Sequence, residues 1–404
     1  MITLIPGRIS SINNSAIRYG AVAGVGSATT VETSFFMIVP TDGVINNVKF
    51  KLSAAPGAGK SYTVGLRINA STIDSVVISD SDVDGEIIGP YNVAPGDTLT
   101  YITTPSGTPV ANPQLFTCLE FEGDDATESI ILGTSTSTQS TTTGFWYSIW
   151  GASAGAISEV SNRSLMPTSG TFKKFYWKLN NDPGTSPDAY TATLKKNDVA
   201  TSLTSTIVAD NTTGNDTTNS FTTVAGDTIS LKIDPVSTPS VGPRLGWGVV
   251  FIPDTTGEAV IMGFTANPTD ASATEYNYLG GVNGTFSTTE ASFTSLLDIS
   301  TLKKLYVKFQ TAPGSGKSYA LTVRDDSADT SLVATVTNTN TTADSSSNTH
   351  DVTDISLVNL KIVPSGTPAS NASSAWSVVV IAPTINTFTP SPMMFMMAQS
   401  GGLI

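Results

Sequence analysis

Val48-Lys49-Phe50-Lys51-Leu52-Ser53-Ala54-Ala55-Pro56-Gly57-Ala58-Gly59-Lys60-Ser61-Tyr62 returns late in the chain as Leu305-Tyr306-Val307-Lys308-Phe309-Gln310-Thr311-Ala312-Pro313-Gly314-Ser315-Gly316-Lys317-Ser318-Tyr319. A looser copy lies between them, Phe175-Tyr176-Trp177-Lys178-Leu179-Asn180-Asn181-Asp182-Pro183-Gly184, followed by Thr185 to Tyr190. The Pro-Gly pairs at Pro56, Pro183 and Pro313 stand 127 and 130 residues apart. That period is a whole domain, since solenoid repeats run at ~20–45 residues. The chain reads as three like units.

Later parts of the units agree. Val93-Ala94-Pro95-Gly96-Asp97-Thr98-Leu99 matches Val224-Ala225-Gly226-Asp227-Thr228-Ile229. Pro-bounded turns follow at Pro105-Ser106-Gly107-Thr108-Pro109, Pro235-Val236-Ser237-Thr238-Pro239 and Pro364-Ser365-Gly366-Thr367-Pro368. Apolar runs close the units: Leu115 to Phe121, Trp247 to Ile252 and Trp376 to Ile381. Pro253 and Pro383 stop the last two, because proline cannot donate to a ladder. The expected first strands are Ser15 to Tyr19, Ser129 to Leu132 and Ala259 to Phe264.

The local pattern is β. Tyr62 to Ile68 and Tyr319 to Arg324 alternate with period two, and no segment carries a helical stripe over three turns. Short strands between Gly, Pro, Asn and Asp turns predict an all-β chain of three tandem β-sandwich or jelly-roll domains. Units of about 130 residues hold the eight strands of a jelly roll, whereas fibronectin-like sandwiches lie nearer ~100. The expected divisions are 1–122 with an N-terminal arm, 123–254, 255–390, and an apolar Met-rich tail at 391–404.

Composition narrows function. The 404 residues carry 20 Lys and Arg against 33 Asp and Glu, a net charge of −13. Nucleic acid and anionic membranes repel such a surface, and no run reaches the ~18 apolar residues of a membrane span. Charged residues are only 13%, about half the usual share. The polar surface is therefore Ser, Thr and Asn, which suits exposed strands. One cysteine, Cys118, excludes an intrachain disulfide; with one histidine, His350, little remains for zinc, a thiol nucleophile or a His triad. The start, Met1 to Asn14, lacks the basic and long apolar regions of a secretory signal. Manufacture in the cytoplasm with a composition suited to the outside fits a virion protein.

Individual motifs have plain readings. The Gly-Lys-Ser runs fail as phosphate loops, because the first Gly of the Walker pattern would fall at Ala54 or Thr311. They read instead as turns between antiparallel strands, with Gly57, Gly59, Gly314 and Gly316 supplying positive φ. Asp80, Asp82 and Asp84 match the first half of a calcium loop, but Tyr91 replaces the closing glutamate, so a solvated acidic tip competes with calcium. No other cofactor is implied. His350 reads as a loop residue and Cys118 as a buried small hydrophobe. Two carboxylates suffice for a glycosidase, yet Glu120, Glu122, Asp124 and Asp125 show no such pairing, and no catalytic residue is assigned. Met393, Met394, Phe395, Met396 and Met397 either cap the third unit or insert between subunits; Ile2, Leu4 and Ile5 of the arm are the second partner-binding candidates.

The run from Ala55 to Tyr62, its alternating strand with Arg67, the Gly96-Asp97-Thr98 strand and the Pro105 to Pro109 turn resemble a repeat of tailed-bacteriophage virion structural proteins. The resemblance touches all three units, most closely Val48 to Arg67 and Leu305 to Arg324. The middle unit departs at Thr185 to Ala189, and the third lacks the Gly-Asp-Thr run. The resemblance implies a non-enzymatic head decoration or cement protein with jelly-roll domains, assembled on the particle exterior against the major capsid protein or other virion proteins. Triplication permits a pseudo-trimeric monomer around a pseudo-threefold axis; a homotrimer is the other arrangement. A tail fibre or adhesin binding host glycans is the alternative, and a carbohydrate-active enzyme the third.

Overall fold

A computed structural model describes residues 1–282, 285–371 and 373–383. The tail candidates Met393, Met394, Phe395, Met396 and Met397 lie outside the described residues.

The first unit contains β1 (Ile2–Ile9), β2 (Arg18–Gly20), β3 (Gly24–Gly26), β4 (Met37–Ile38), β5 (Gly43–Leu52), β6 (Gly57–Ile68), β7 (Ser71–Asp80), β8 (Asp84–Val93), β9 (Thr98–Ser106) and β10 (Leu115–Gly123). One sheet runs β3-β1-β10-β5-β8; the other runs β2-β9-β6-β7, with β4 also on β9. Without the short β3 and β4, eight strands alternate between two sheets in jelly-roll order. The second and third units repeat this order, from Ser129–Ser135 to Leu245–Pro253 and from Ala259–Thr265 to Ser374–Ile381. The chain is thus all-β, with six sheets in three similar pairs.

Alternation explains the cores. Along β6, Tyr62, Val64, Leu66 and Ile68 point inward while Thr63 and Arg67 stay half-exposed. Phe50 meets Tyr101 edge-on at 5.4 Å, and Phe309 meets Tyr319 the same way. In the second and third units Trp247 and Trp376 fill the core and donate their indole N–H to the carbonyls of Ile149 and Tyr278. Each such side chain contributes about 1.5–3 kcal/mol on burial.

Several expectations are corrected. Met1 to Ile9 is not an arm: Ile2–Ile9 forms β1, paired along its length with β10, and Leu4 and Ile5 are fully buried while Ile2 packs against the core. The first strand of unit one is β1, not Ser15 to Tyr19. Its opening run, Leu4-Ile5-Pro6-Gly7, contains a proline that obscured the strand pattern, and Pro6 is tolerated beside Cys118. The Gly-Lys-Ser run does not join antiparallel neighbours, because β5 and β6 belong to opposite sheets. It is a crossover corner with a bulge opposite Asp80, between Gly57 and Ser61.

The units close into a ring. β4 of unit one lies over the second unit's closing strand, where the Phe36 and Ile38 carbonyls sit where Cβ atoms of Gly246 and Gly248 would be. Leu165 of unit two packs with Phe264 and Ala375 of unit three. Leu296 and Leu297 of unit three join a cluster that contains Leu4, Phe116 and Cys118 of unit one. The same short element of each unit therefore clasps the next, and the third returns to the first. At the centre, the positive-φ glycines Gly24, Gly151 and Gly281 meet on a pseudo-threefold axis.

Candidate functional site

Three seams join the units, and repeat-specific polar groups tie them. At the first, the Glu128 carboxylate is fully buried, accepts the Thr41 hydroxyl at 2.5 Å, and lies 2.9 and 2.7 Å from the Lys173 and Lys174 ammonium groups. The lysine contacts at Glu128 Oε1 have ion-pair distance without hydrogen-bond angles. The second seam repeats the set with Thr168, Glu258, Lys303 and Lys304, and there Lys304 does donate a hydrogen bond to Glu258. Burial alone would push both carboxyls up; the facing lysine ammonium groups and the threonine hydroxyl outweigh it and hold them below the ordinary range.

The third seam uses other chemistry. Asn46 and Asn47 occupy the positions of the lysine pair, and Asp298 that of the threonine. Lys49 reaches across to Asp298 at 2.9 Å and to Asp354. Asn46 Nδ2 donates to Glu120 and Glu122 at 2.9 and 3.0 Å. Burial, then Asp298 and Glu122, push the Glu120 carboxyl up against the opposing Asn46 bond. Arg8 is buried beneath this seam and donates to the Tyr278 hydroxyl and the Ser292 carbonyl. Its guanidinium lies over the Tyr278 and Phe116 rings, 4.7 and 5.6 Å from their centroids.

Hollows accompany this framework. A depression of about 610 Å³ is lined from all three units, among others by Val25, Phe35, Asn162, Arg244, Phe264 and Val282. A smaller cavity of about 260 Å³ opens at the first seam.

The calcium candidates do not converge. Asp80 accepts the Gly59 amide at 2.6 Å, Asp84 pairs with Lys51 at 3.4 Å, and Asp82 is exposed. Among the described residues, no three His, Cys, Asp or Glu side chains are placed to hold a metal. His350 is a strand residue, within Thr342–Val352, and its Nε2 lies 2.8 Å from Asp325 Oδ2, not against its neighbour Asp351. Cys118 is buried in β10, and burial pushes its thiol up to about 12, so it is not a thiolate. Asp125 caps Thr127. Among the described residues, no helix is long and apolar enough to cross a membrane.

The seam residues went unrecognised in the sequence, although a signal was there. Thr41 and Thr168 stand in the same place of their repeats, as do Glu128 and Glu258 and the two Lys-Lys pairs. Identical polar residues at the repeat period mark a contact made once per unit. No protein-family model matches the chain, and no curated protein matches it.

Proposed function

We propose that this chain is a structural virion protein that works without chemistry, decorating the exterior of a phage head and bridging capsomers. The closed ring of three like sandwiches about the glycine axis supports this reading most directly. One chain presents three equivalent loop sets around one axis, the geometry a local threefold position between capsomers requires. Seams built from buried ion pairs and interlocked apolar strands make the ring one body, so load on one unit passes to the others. The partner in this reading is the major capsid protein.

Copy number tests it. Quantitative mass spectrometry of purified particles of the virus encoding the chain should give a copy number approaching that of the major capsid protein. A small fraction of that number moves the protein to a tail fibre that binds glycans. Absence from the particles removes both readings and reopens enzymatic ones.

A further inference from the structure

We propose that the cavity at the first seam is a binding site for one acidic sugar residue, a hydroxyl-rich ring carrying a single carboxylate. Glu32, Thr33, Phe36 and Thr100 of unit one line it, and Lys178 and Thr212 of unit two face them. Its volume of about 260 Å³ is just below the ~300–1,000 Å³ of pockets for drug-sized ligands, and suits a single ring.

The repeat supplies an internal control. Lys51, Lys178 and Lys308 occupy the same position of their units. Lys51 pairs with Asp84, and Lys308 reaches the Gly226 carbonyl beside Glu159 and Arg163. The Lys178 ammonium makes no hydrogen bond or ion pair among the described residues, and Lys178 is the one that lines the cavity. The nearby Glu32 carboxylate does not neutralise it. Arg67 grips Glu32 through Nε and Nη2 at 2.7 and 2.9 Å, and Thr100 adds a third bond at 2.9 Å. The Asn69 amide and the Ala94 N–H occupy Asp97, which does not line the cavity. A half-buried lysine whose ammonium has no counter-ion among the described residues accommodates an anion. Threonine hydroxyls and the Phe36 ring around it suit the hydroxyls and C–H face of a sugar. At the second seam, Arg163 replaces Phe36 beside Glu159, so an ionic cluster stands at the equivalent place.

The test is titration of the purified full chain with D-glucuronate, D-galacturonate, D-glucose and glucuronamide, followed by calorimetry or ligand-observed NMR. At least one uronate should bind about tenfold or more tightly than glucose and the neutral amide, the factor expected of one charge-assisted hydrogen bond. Lys178→Met should lose that preference while its melting temperature stays unchanged. Thr33→Ala, at an exposed position, should weaken binding with the fold intact. No uronate binding, equal binding of uronate and glucose, or full binding by a folded Lys178→Met chain each overturns the proposal. Should Lys178→Met melt early, the comparison of glucuronate with glucuronamide on the wild-type chain decides alone. The outcome is independent of copy number on particles.

Discussion

A Cβ built on Gly24 would lie 2.6 Å from the Cα of Gly151, although the two residues belong to different sandwiches. Both hold φ in the left-handed region, at 67° and 74°, and Gly281 completes the contact at 108°. Each position is therefore constrained twice, by the sign of φ and by the approach of a neighbouring backbone. The axis consists of backbone meeting backbone, so no side chain there can adjust to a misfit.

Gly151→Ala separates the two constraints. Left-handed strain costs about 1–2 kcal/mol, and the clash with Gly24 and Gly281 adds about 1–3 kcal/mol of overpacking. Gly316, at φ 71° with nothing within 4 Å of its virtual Cβ, is the matched control and carries the strain alone. Urea unfolding should show a clearly larger loss of midpoint for Gly151→Ala than for Gly316→Ala. Equal losses would mean that the axial contact contributes nothing.

The seams should respond to acid in opposite directions. The Glu120 carboxyl is raised above the ordinary value of 4.5, so the folded chain binds that proton more readily than the unfolded one. Its contribution to stability is then fully present below 4.5 and is lost as pH rises through the folded value. The Glu128 and Glu258 carboxyls are lowered from 4.5, so their contribution is present above 4.5 and lost as pH falls through their folded values. Thermal midpoints should hold or rise on acidification from pH 7 toward 4.5, then fall below it. Glu120→Gln should raise the midpoint at pH 7 and flatten the first limb. A Glu120→Gln chain that loses stability at pH 7 would show that the ionised carboxylate holds the third seam.

The fold was legible wherever one repeat explained one unit. Alternation along Tyr62 to Ile68, the Pro-Gly period and proline stops at Pro253 and Pro383 placed three β-sandwiches without reference to anything outside the unit. Failures came where a residue's role is completed by a distant part of the chain. Gly24, Gly151 and Gly281 look like ordinary loop glycines until three chain segments meet. Ile2, Leu4 and Ile5 resembled a free arm because Pro6 broke the strand pattern, while the partner strand β10 lies over a hundred residues away. Lys178 differs from Lys51 within its own unit, because Thr213 stands opposite it where Asp84 stands opposite Lys51, while its place at the cavity comes from the packing of unit one against unit two.

Arg8 offers a choice between polar bonding and volume. Its Nε has no partner, and burial lowers the guanidinium from its ordinary range against the opposing influence of Tyr278. Keeping a charge there is costly, and an apolar side chain of similar length removes that cost while filling the space. Arg8→Met should stay within about 1 kcal/mol of wild type or exceed it. Arg8→Ala leaves a cavity beneath Tyr278 and Phe116 and should lose about 2–4 kcal/mol. An Arg8→Met chain as unstable as Arg8→Ala would show that the bonds to Tyr278 and Ser292 hold the seam.

Asp80 has a structural role at the start of the acidic run. It sits at φ 54° at the end of β7 and accepts the Gly59 amide of the bulged corner. In the third unit Asn338, at φ 55°, accepts the Gly316 amide at 2.8 Å in the same way. Asp and Asn both tolerate this conformation and both present an acceptor oxygen. Asp80→Asn should therefore be neutral to within about 0.5 kcal/mol, whereas Asp80→Ala should cost about 1 kcal/mol for the lost bond. Millimolar calcium should leave the wild-type melting temperature unchanged. A calcium-dependent rise that Asp82→Asn and Asp84→Asn each abolish would instead make the β7–β8 crossover a cation site, with Asp80 turned away from Gly59 to complete it.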